Sequence, residues 1–395
     1  MQLKITPATK LAVYRYMAQQ KVVSKAQLQA HFAFHSSSLT RLLDDFIAEG
    51  LIVESGYGQS TGGRKPILYQ IKATASYMLG LDISRSSSTL GLFDMTLTPL
   101  AFVSWTMDQS MTPKQLVSHV VSAVQALLTE HAITAEQLIG LGVGAVGPLD
   151  RSSGTIINPS YFPAMGWNNV PLKAWLEEAL QLPVQIEAGA NTALLAEHWC
   201  MEHENAHHLL YVHAGVSLRS AMMSSGSLIH GAVENEDAIS QMIVQADGIR
   251  LHEHSNYGAL EAYCSIQAIE RQVLSQLKLG RQPLSNAVTP EQLNLQLLLD
   301  ELQHNNSYVV QLFEQAATYL GIGLANLINV FHPEIIILGG PLHHKSDLFF
   351  KTAIAAAKSR IMKTPLYEPT FSRGKLQERA VTTGAAILVY AMMRM

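Results

Sequence analysis

A cluster of hydroxyl and cationic side chains near the start of the chain has the composition of a nucleic-acid-binding surface. Ser36, Ser37, Ser38, Thr40 and Arg41 fall within six consecutive residues. Such hydroxyls and guanidinium groups form hydrogen bonds to phosphate oxygens and to the edges of bases. We therefore predict that these five side chains contact DNA.

A glycine-rich loop farther along the chain supplies a second set of candidate DNA contacts. Gly62, Gly63, Arg64 and Lys65 end a run of small and polar residues. Glycine lets a backbone approach a phosphate chain closely, and an arginine there can enter a narrow minor groove. An ordinary flexible loop is the alternative interpretation of the same residues.

The elements around these residues have the order of a winged helix-turn-helix. Apolar residues at helical spacing predict a helix from Leu11 to Met17 and another from Leu39 to Ile47, after a polar turn that includes the serines. Ser24 has the position of the N-cap of a short helix between them. Two strand-like runs, Leu51–Glu54 and Ile67–Ile71, flank the glycine-rich loop and predict a hairpin wing.

The charge of the chain is divided unevenly. Residues 1–75 hold nine Lys and Arg against four Asp and Glu, a charge of +5, so the remainder carries −9 within the net charge of −4. A basic module on an acidic body indicates that only the N-terminal part approaches a polyanion. A solvated charged face is the alternative.

Size and composition exclude several classes of protein. With 395 residues, 48% of them hydrophobic and 15% charged, the chain is expected to form two or three globular domains. It has neither a long uninterrupted apolar run nor the core of a signal peptide at its start, so we expect no membrane association. Only two cysteines, Cys200 and Cys264, occur. This suits the reducing cytoplasm, where we expect the protein to be located.

The rest of the chain is typical of an α/β protein. Strand-like runs at Met78–Ile83, Ser88–Asp94 and Leu100–Trp105 precede a helical segment, and a further strand enters the glycine-rich stretch Gly142–Pro148. A similar arrangement returns later and ends in the strand Glu334–Gly340. Such a coarse duplication is expected of two α/β lobes around a cleft.

The chain resembles the ROK family of repressors and sugar kinases, and in particular its winged-helix transcription regulators of carbohydrate metabolism. The similar motifs are Thr61–Pro66, Gly142–Asp150, Ala190-Asn191, Leu260-Glu261 and Leu338–Gly340, in that order along nearly the whole chain. The resemblance implies a two-lobed actin-like, ribonuclease H-like sugar-kinase fold after the winged helix. It predicts domains at residues 1–75, 76–190 and 191–395, and a C-terminal helix that could return to the first lobe.

Residues that a ROK kinase requires are missing. The family's Asp-x-Gly-Gly-Thr turn, whose amides bind phosphates, is Asp82-Ile83-Ser84-Arg85-Ser86 here, and its second phosphate loop keeps only Gly215. The catalytic aspartate of the family corresponds to Gly189, which cannot accept a proton. The resemblance therefore predicts no catalytic residue, no ATP binding and no enzyme.

The sugar and zinc sites of the family are altered as well. Residues that could form a remodelled effector pocket are Tyr161, Asn191, Asp237, Gln241 and Glu261. A vestigial pocket is the alternative. The family's zinc ligands correspond to Gln241, His252, His254 and Ala259, so the two histidines are weak candidates and no zinc is expected.

Together these features predict a regulator, by resemblance a repressor, that binds a double-stranded DNA operator. We expect a homodimer or homotetramer, because one winged helix buries too little surface for tight specificity. A sugar or another small molecule could be its effector. A carbohydrate kinase with an unusual active site and a DNA-binding protein without an effector are the alternatives.

Overall fold

The structure, a computed structural model, describes residues 6–59, 65–201, 206–232, 236–362 and 367–393. The chain divides into two compact units. The first unit comprises Met1–Glu204 and Val381–Met395, and the second comprises Asn205–Ala380. Each unit has an α/β sheet with its own core, and the first also contains the N-terminal head, residues 6–75.

The head is a winged helix-turn-helix, as the sequence predicts. Its elements are α1 (Pro7–Gln20), β1 (Val22–Ser24), α2 (Lys25–Phe32), α3 (Ser36–Ala48), β2 (Ile52–Tyr57) and β3 (Ile67–Ile71). The three strands form an antiparallel sheet in the order β1-β3-β2.

Local hydrogen bonds explain where the helices of the head begin. Thr6 caps α1, and Ser24 forms a capping box with Gln27 at the start of α2. The predicted polar turn before the third helix is wrong in one respect, because Ser36 to Ser38 form the first turn of α3. Serine suits a first turn, where the backbone N–H groups have no partner within the helix.

After the head, the first unit contains β4 (Tyr77–Ile83), β5 (Ser87–Asp94), β6 (Pro99–Thr106), α4 (Pro113–Glu130), β7 (Leu138–Ala145), β8 (Leu149–Asp150), β9 (Thr155–Ile156), α5 (Leu172–Leu180), β10 (Val184–Ala188) and α6 (Gly189–Cys200). Five of these strands form a sheet in the order β10-β7-β4-β5-β6, with β7 parallel to both of its neighbours.

The second unit contains β11 (Leu209–Ala214), β12 (Leu218–Ser224), β13 (Ser227–Leu228), α7 (Glu261–Cys264), α8 (Ile266–Lys278), α9 (Leu295–Gln303), α10 (Ser307–Phe331), β14 (Ile335–Gly339), α11 (Pro341–Lys345), α12 (Asp347–Lys358) and β15 (Thr370–Ser372). Its strands form one sheet in the order β13-β12-β11-β14-β15. The last helix, α13 (Ala380–Val389), continues into the first unit. Short 3-10 helices occur at Ala73–Ala75, Ala135–Gln137, Glu236–Gln241, Pro290–Gln292, Gln377–Arg379 and Tyr390–Met392.

Helix α13 packs against the first sheet through glycines. A Cβ atom at Gly80 or Gly142 would lie 2.1 or 1.7 Å from a backbone oxygen of this helix. A Cβ at Gly384, on the helix itself, would lie 1.7 Å from the carbonyl oxygen of Thr192 in α6. Backbone therefore meets backbone on both faces of α13, which leaves no space for a side chain.

The end of the chain also contacts the head. Tyr390 packs edge-on against Tyr14 of α1, stacks on Trp199, and donates a hydrogen bond to the carbonyl of Met95. Head residues and the buried residues around Tyr390 form one hydrophobic cluster. The head is thus held against the rest of the first unit by apolar packing.

No helix in the described parts of the chain has the length and apolar character that crossing a membrane would require.

Candidate DNA-binding surface and effector site

Helix α3 presents a polar face to solvent. Its apolar side chains, Leu39, Leu42, Leu43 and Phe46, are buried in the head. The opposite face exposes Ser36, Ser37, Thr40, Arg41 and Asp44, while Ser38 is half-buried. Four of the five residues that the sequence predicts for α3 thus share one exposed face. Asp44, which is not among the predicted contacts, lies beside them.

A lysine from α2 adds a cation to this surface. Lys25 Nζ donates a hydrogen bond to Thr40 Oγ1, whose hydroxyl donates in turn to the Ser36 carbonyl at 2.8 Å. Lys25 is not among the residues that the sequence predicts for this surface. Its position directly after the N-cap Ser24 is the signal that could have identified it, because in this motif the helix before the recognition helix crosses the DNA backbone.

The wing strands pair as expected, and the loop between them is described in part. Lys65 is exposed and follows directly on the segment that contains Gly62, Gly63 and Arg64. Those three predicted contacts lie outside the described residues. Tyr57, at the end of β2, exposes 65% of its surface. The described parts of the wing thus offer one exposed cation and one exposed aromatic ring.

The turn Asp82–Ser86, which the resemblance aligns with the first phosphate turn of the kinases, contains a buried arginine. Arg85 is 6% exposed, and its Nε donates to the Ser160 carbonyl at 2.9 Å. The guanidinium carbon lies 5.5 Å from the centre of the Tyr161 ring, within the range of a cation–π contact. The side chain connects the turn to the segment that carries Tyr161, where a kinase would present bare amides.

The segment Gly215–Arg219, which the resemblance aligns with the second phosphate loop of the kinases, also contains a buried arginine. Arg219, 5% exposed, lies with its Nη1 3.5 Å from Glu236 Oε1 and its Nη2 3.1 Å from His213 Nε2. A buried ion pair of this kind needs good geometry and further hydrogen bonds to offset desolvation. The positive charge is engaged within the protein.

A closed hydrogen-bond network lies where the resemblance implies the catalytic base of the kinases. Gly189 begins α6, and the neighbouring Glu187 is 3% exposed. Glu187 accepts hydrogen bonds from the Asn191 amide at 3.0 Å and the Ala188 N–H at 2.8 Å. Arg151 Nε lies 2.9 Å from its other oxygen. The Glu187 carboxylate, which lies two residues before Gly189, is therefore engaged by an arginine and two amide groups.

The other predicted pocket residues lie in the second unit. Gln241 Nε2 donates to Glu261 Oε1 at 2.6 Å, so these two side chains are brought together. Asp237 belongs to the same 3-10 helix as Gln241. Tyr161 and Asn191 belong to the first unit. Of the five predicted pocket residues, the structure thus brings Gln241 and Glu261 into direct contact.

The weak metal candidates do not form a metal site with one another. His252 Nε2 lies 2.9 Å from Gln267 Oε1, and His254 is exposed. Across the described ranges, no group of three or more His, Cys, Asp and Glu is arranged to hold a metal ion. Burial raises the pKa of the nearby Cys264 thiol well above its usual value, with repulsion from Glu261 adding to the effect. This disfavours the thiolate that zinc binds.

The chain is similar to known proteins over nearly its whole length. The ROK family model matches residues 78–392. A xylose repressor from Caldicellulosiruptor bescii is 24% identical over 390 residues, covering 97% of this chain and 96% of the relative. The DNA-binding transcriptional dual regulator NagC of Escherichia coli is 24% identical, covering 97% of this chain and 92% of the relative.

A solved ROK family transcriptional regulator, described as a homologue of the Escherichia coli Mlc protein, matches with a TM-score of 0.79 at 18% identity. That match covers 97% of this chain and 95% of the other. The chain belongs to the ROK family.

Proposed function

We propose that this protein is a DNA-binding transcription regulator, acting as a repressor of carbohydrate-metabolism genes in the cytoplasm. The observation that carries the proposal is the polar face of α3 on a winged-helix head. Relatives named as a xylose repressor and as NagC match along both head and body. In this proposal residues 1–75 bind DNA, and residues 76–395 form the two-lobed body.

The proposed operator is a pseudo-palindrome bound by a homodimer or homotetramer. Two heads would place the Ser36, Ser37, Ser38, Thr40 and Arg41 surfaces in successive major grooves, with Lys25 close to the backbone. Gly62, Gly63, Arg64 and Lys65 would contact the phosphates or the minor groove beside each half-site. Two half-sites one helical turn apart supply the buried area that a single head lacks.

The body is proposed to bind an effector and not to catalyse phosphoryl transfer. Gly189 offers no proton acceptor, and the arginines at both former phosphate loops are engaged by protein groups. Phosphoryl transfer relies on positioned donors around the phosphates and a group that orients the attacking hydroxyl. We propose Tyr161, Asn191, Asp237, Gln241 and Glu261 as effector contacts.

Helix α13 provides a path from the proposed effector residues to the DNA-binding head. Asn191 lies in the first turn of α6, and its neighbour Thr192 contacts Gly384 of α13. The residue that follows α13, Tyr390, packs against Tyr14 in the head. An effector that binds two arrangements of α6 with different affinity would shift the head through this packed chain.

Restoring the base alone should not restore kinase activity. We expect Gly189→Asp to show no ATP-dependent phosphorylation of sugars above the level of the unaltered protein, because the arginines still occupy both phosphate loops. A coupled assay for ADP release over a panel of hexoses, pentoses and amino sugars measures this. Turnover by the unaltered protein would overturn the non-enzymatic part of the proposal.

Removing the guanidinium from the exposed face of α3 should weaken operator binding. We expect Arg41→Ala to reduce operator affinity about tenfold, since one good base or phosphate contact contributes on that scale. The matched control is Lys114→Ala, which removes the same charge from an exposed position on α4. Fluorescence anisotropy over a range of salt concentrations measures both variants. If Arg41→Ala and Lys114→Ala bind the operator with equal affinity, Arg41 does not contact the DNA.

The function as a whole is tested by selecting bound DNA from a random library, followed by competition with sugars and sugar phosphates. An enriched palindrome released by one of these compounds is the expected result. A palindrome that no compound releases would leave the DNA-binding function and remove the proposed effector. No enrichment at low salt would overturn the proposal.

A further inference from the structure

A long loop in the second unit carries the place at which the family resemblance implies a structural zinc ion. Gln241, His252, His254 and Ala259 stand where the resemblance implies one histidine and three cysteines. A structural zinc site needs four thiolate or imidazole ligands in a tetrahedron. An amide and a methyl group do not fit that donor set, so residues 242–260 must be held by other bonds.

Gln241 lies at the centre of a hydrogen-bond network that joins both ends of this loop. Its Nε2 donates to Glu261 Oε1 at 2.6 Å, and its Oε1 accepts from the Asn256 N–H at 2.9 Å. The Asn256 amide group donates back to the Gln241 carbonyl at 3.0 Å, and Ser255 Oγ donates to Glu261 Oε1 at 2.8 Å. One amide side chain thus connects the loop start, its later part and α7.

Other protein groups hold the rest of the loop. The Tyr263 hydroxyl accepts from the Ile249 N–H at 2.9 Å, and Tyr319 donates to Gln245 at 2.7 Å. Arg271 Nη1 donates to the Leu251 carbonyl at 2.6 Å. The loop is therefore fixed to α7, α8 and α10 by side chains that neither require a metal nor resemble metal ligands.

We infer that Gln241 takes the structural place of the family's zinc ion and positions the Glu261 carboxylate without a metal. Glutamine suits this role because its side chain both donates and accepts, so it can bond a carboxylate and a backbone N–H together. Glu261 is 2% exposed, and its Oε1 receives both side-chain hydrogen bonds. From the described residues, Oε2 receives none, so this oxygen is left to accept from a ligand hydroxyl.

The first arm of the test uses zinc itself as the probe on the full-length protein. Protein purified without chelator is expected to hold less than one tenth of an equivalent of zinc by elemental analysis. Its unfolding temperature is expected to be the same with excess EDTA and with added zinc, because binding to the folded state alone would raise it. One equivalent of zinc whose removal lowers the unfolding temperature would overturn the inference.

The second arm compares Gln241→Met, which keeps the length of the side chain, with His254→Ala, which removes an implied metal ligand. Gln241→Met is expected to lower the unfolding temperature by about 5 °C, the scale of losing a hydrogen bond to a charged group in a domain of this size. The Asn256 amide should exchange its hydrogen at least tenfold faster. His254→Ala should leave both quantities unchanged. The opposite ranking of the two variants, or unaltered Asn256 exchange in Gln241→Met, would overturn the inference.

A double-mutant comparison separates positioning from general loop stability. Because Gln241 acts on the carboxylate of Glu261, Gln241→Met should have a smaller effect in a Glu261→Gln background than alone. Fully additive temperature shifts would show that Gln241 stabilises the loop without positioning Glu261, and would overturn that part of the inference. None of these measurements involves DNA, so their outcome is independent of the proposed regulatory function.

Discussion

Gly384→Ala is expected to destabilise the first unit by about 3 kcal/mol or more. The added Cβ would lie 1.7 Å from the Thr192 carbonyl oxygen and 2.4 Å from the carbonyl carbon. Both are backbone atoms, which cannot rotate away as a side chain does, so α13 and α6 must move apart. Overpacking in a tight core costs on the order of 1–3 kcal/mol, and backbone clashes lie at the upper end.

Thermal unfolding measures this prediction. A loss of about 3 kcal/mol corresponds to a fall of roughly 6–12 °C in a unit of this size. Gly58→Ala is the matched control, because its Cβ would meet only the end of the Pro66 ring, at 3.1 Å, and the side chain of Leu68. Operator affinity should fall with Gly384→Ala even below its unfolding temperature, since α13 supports the head. An unfolding temperature equal to that of the control would contradict the packing of α13 on α6.

Acid is expected to destabilise the second unit through His343. This histidine is fully buried beside the rings of Phe349 and Phe350, and neither ring nitrogen has a hydrogen-bond partner among the described residues. Burial lowers its pKa from 6.5 to about 3, with repulsion from His344 and Arg373 adding to the effect. The folded chain therefore holds His343 neutral where the unfolded chain protonates it.

The sign and the pH range follow from that difference. Above pH 6.5 the histidine is neutral in both states and has no effect on the free energy of unfolding. As the pH falls from 6.5 towards 3, only the unfolded state binds the proton, so stability is lost. At pH 5 the loss is about 2 kcal/mol, from the 1.36 kcal/mol that each pKa unit represents.

His343→Leu should remove most of this pH dependence. Leucine fills a similar apolar space without a group that can bind a proton. The pKa of His344 is also lowered by burial, so a smaller dependence should remain. Urea unfolding at pH 5 and pH 7.5, followed by far-ultraviolet circular dichroism, measures the unfolding of both units. All four tryptophans belong to the first unit, so their fluorescence reports that unit separately. The exposed control is His254→Ala. If the free energy of unfolding falls equally between pH 7.5 and pH 5 in His343→Leu and in this control, the prediction is contradicted.

The sequence by itself determined the features that depend on near neighbours. The apolar spacing of α3, the capping box at Ser24 and the strands on either side of the wing loop follow from bonds within a few residues. The alignment of Gly189 with the family's catalytic aspartate rests on motif order alone and stays a prediction. The boundary of α3 could not be predicted, because serines suit both a turn and a first helical turn.

Only the tertiary structure decided which distant residues meet. Arg85 contacts Ser160, 75 residues away, and Tyr390 contacts Met95, 295 residues away. Gln241 and Glu261 are each predicted from the sequence, but their hydrogen bond depends on the path of the loop between them. Such contacts depend on which faces the elements bury against one another, and no local pattern of residue types contains that information. The sequence therefore determined the parts of this protein, and packing decided how Arg85, Gln241 and α13 connect them.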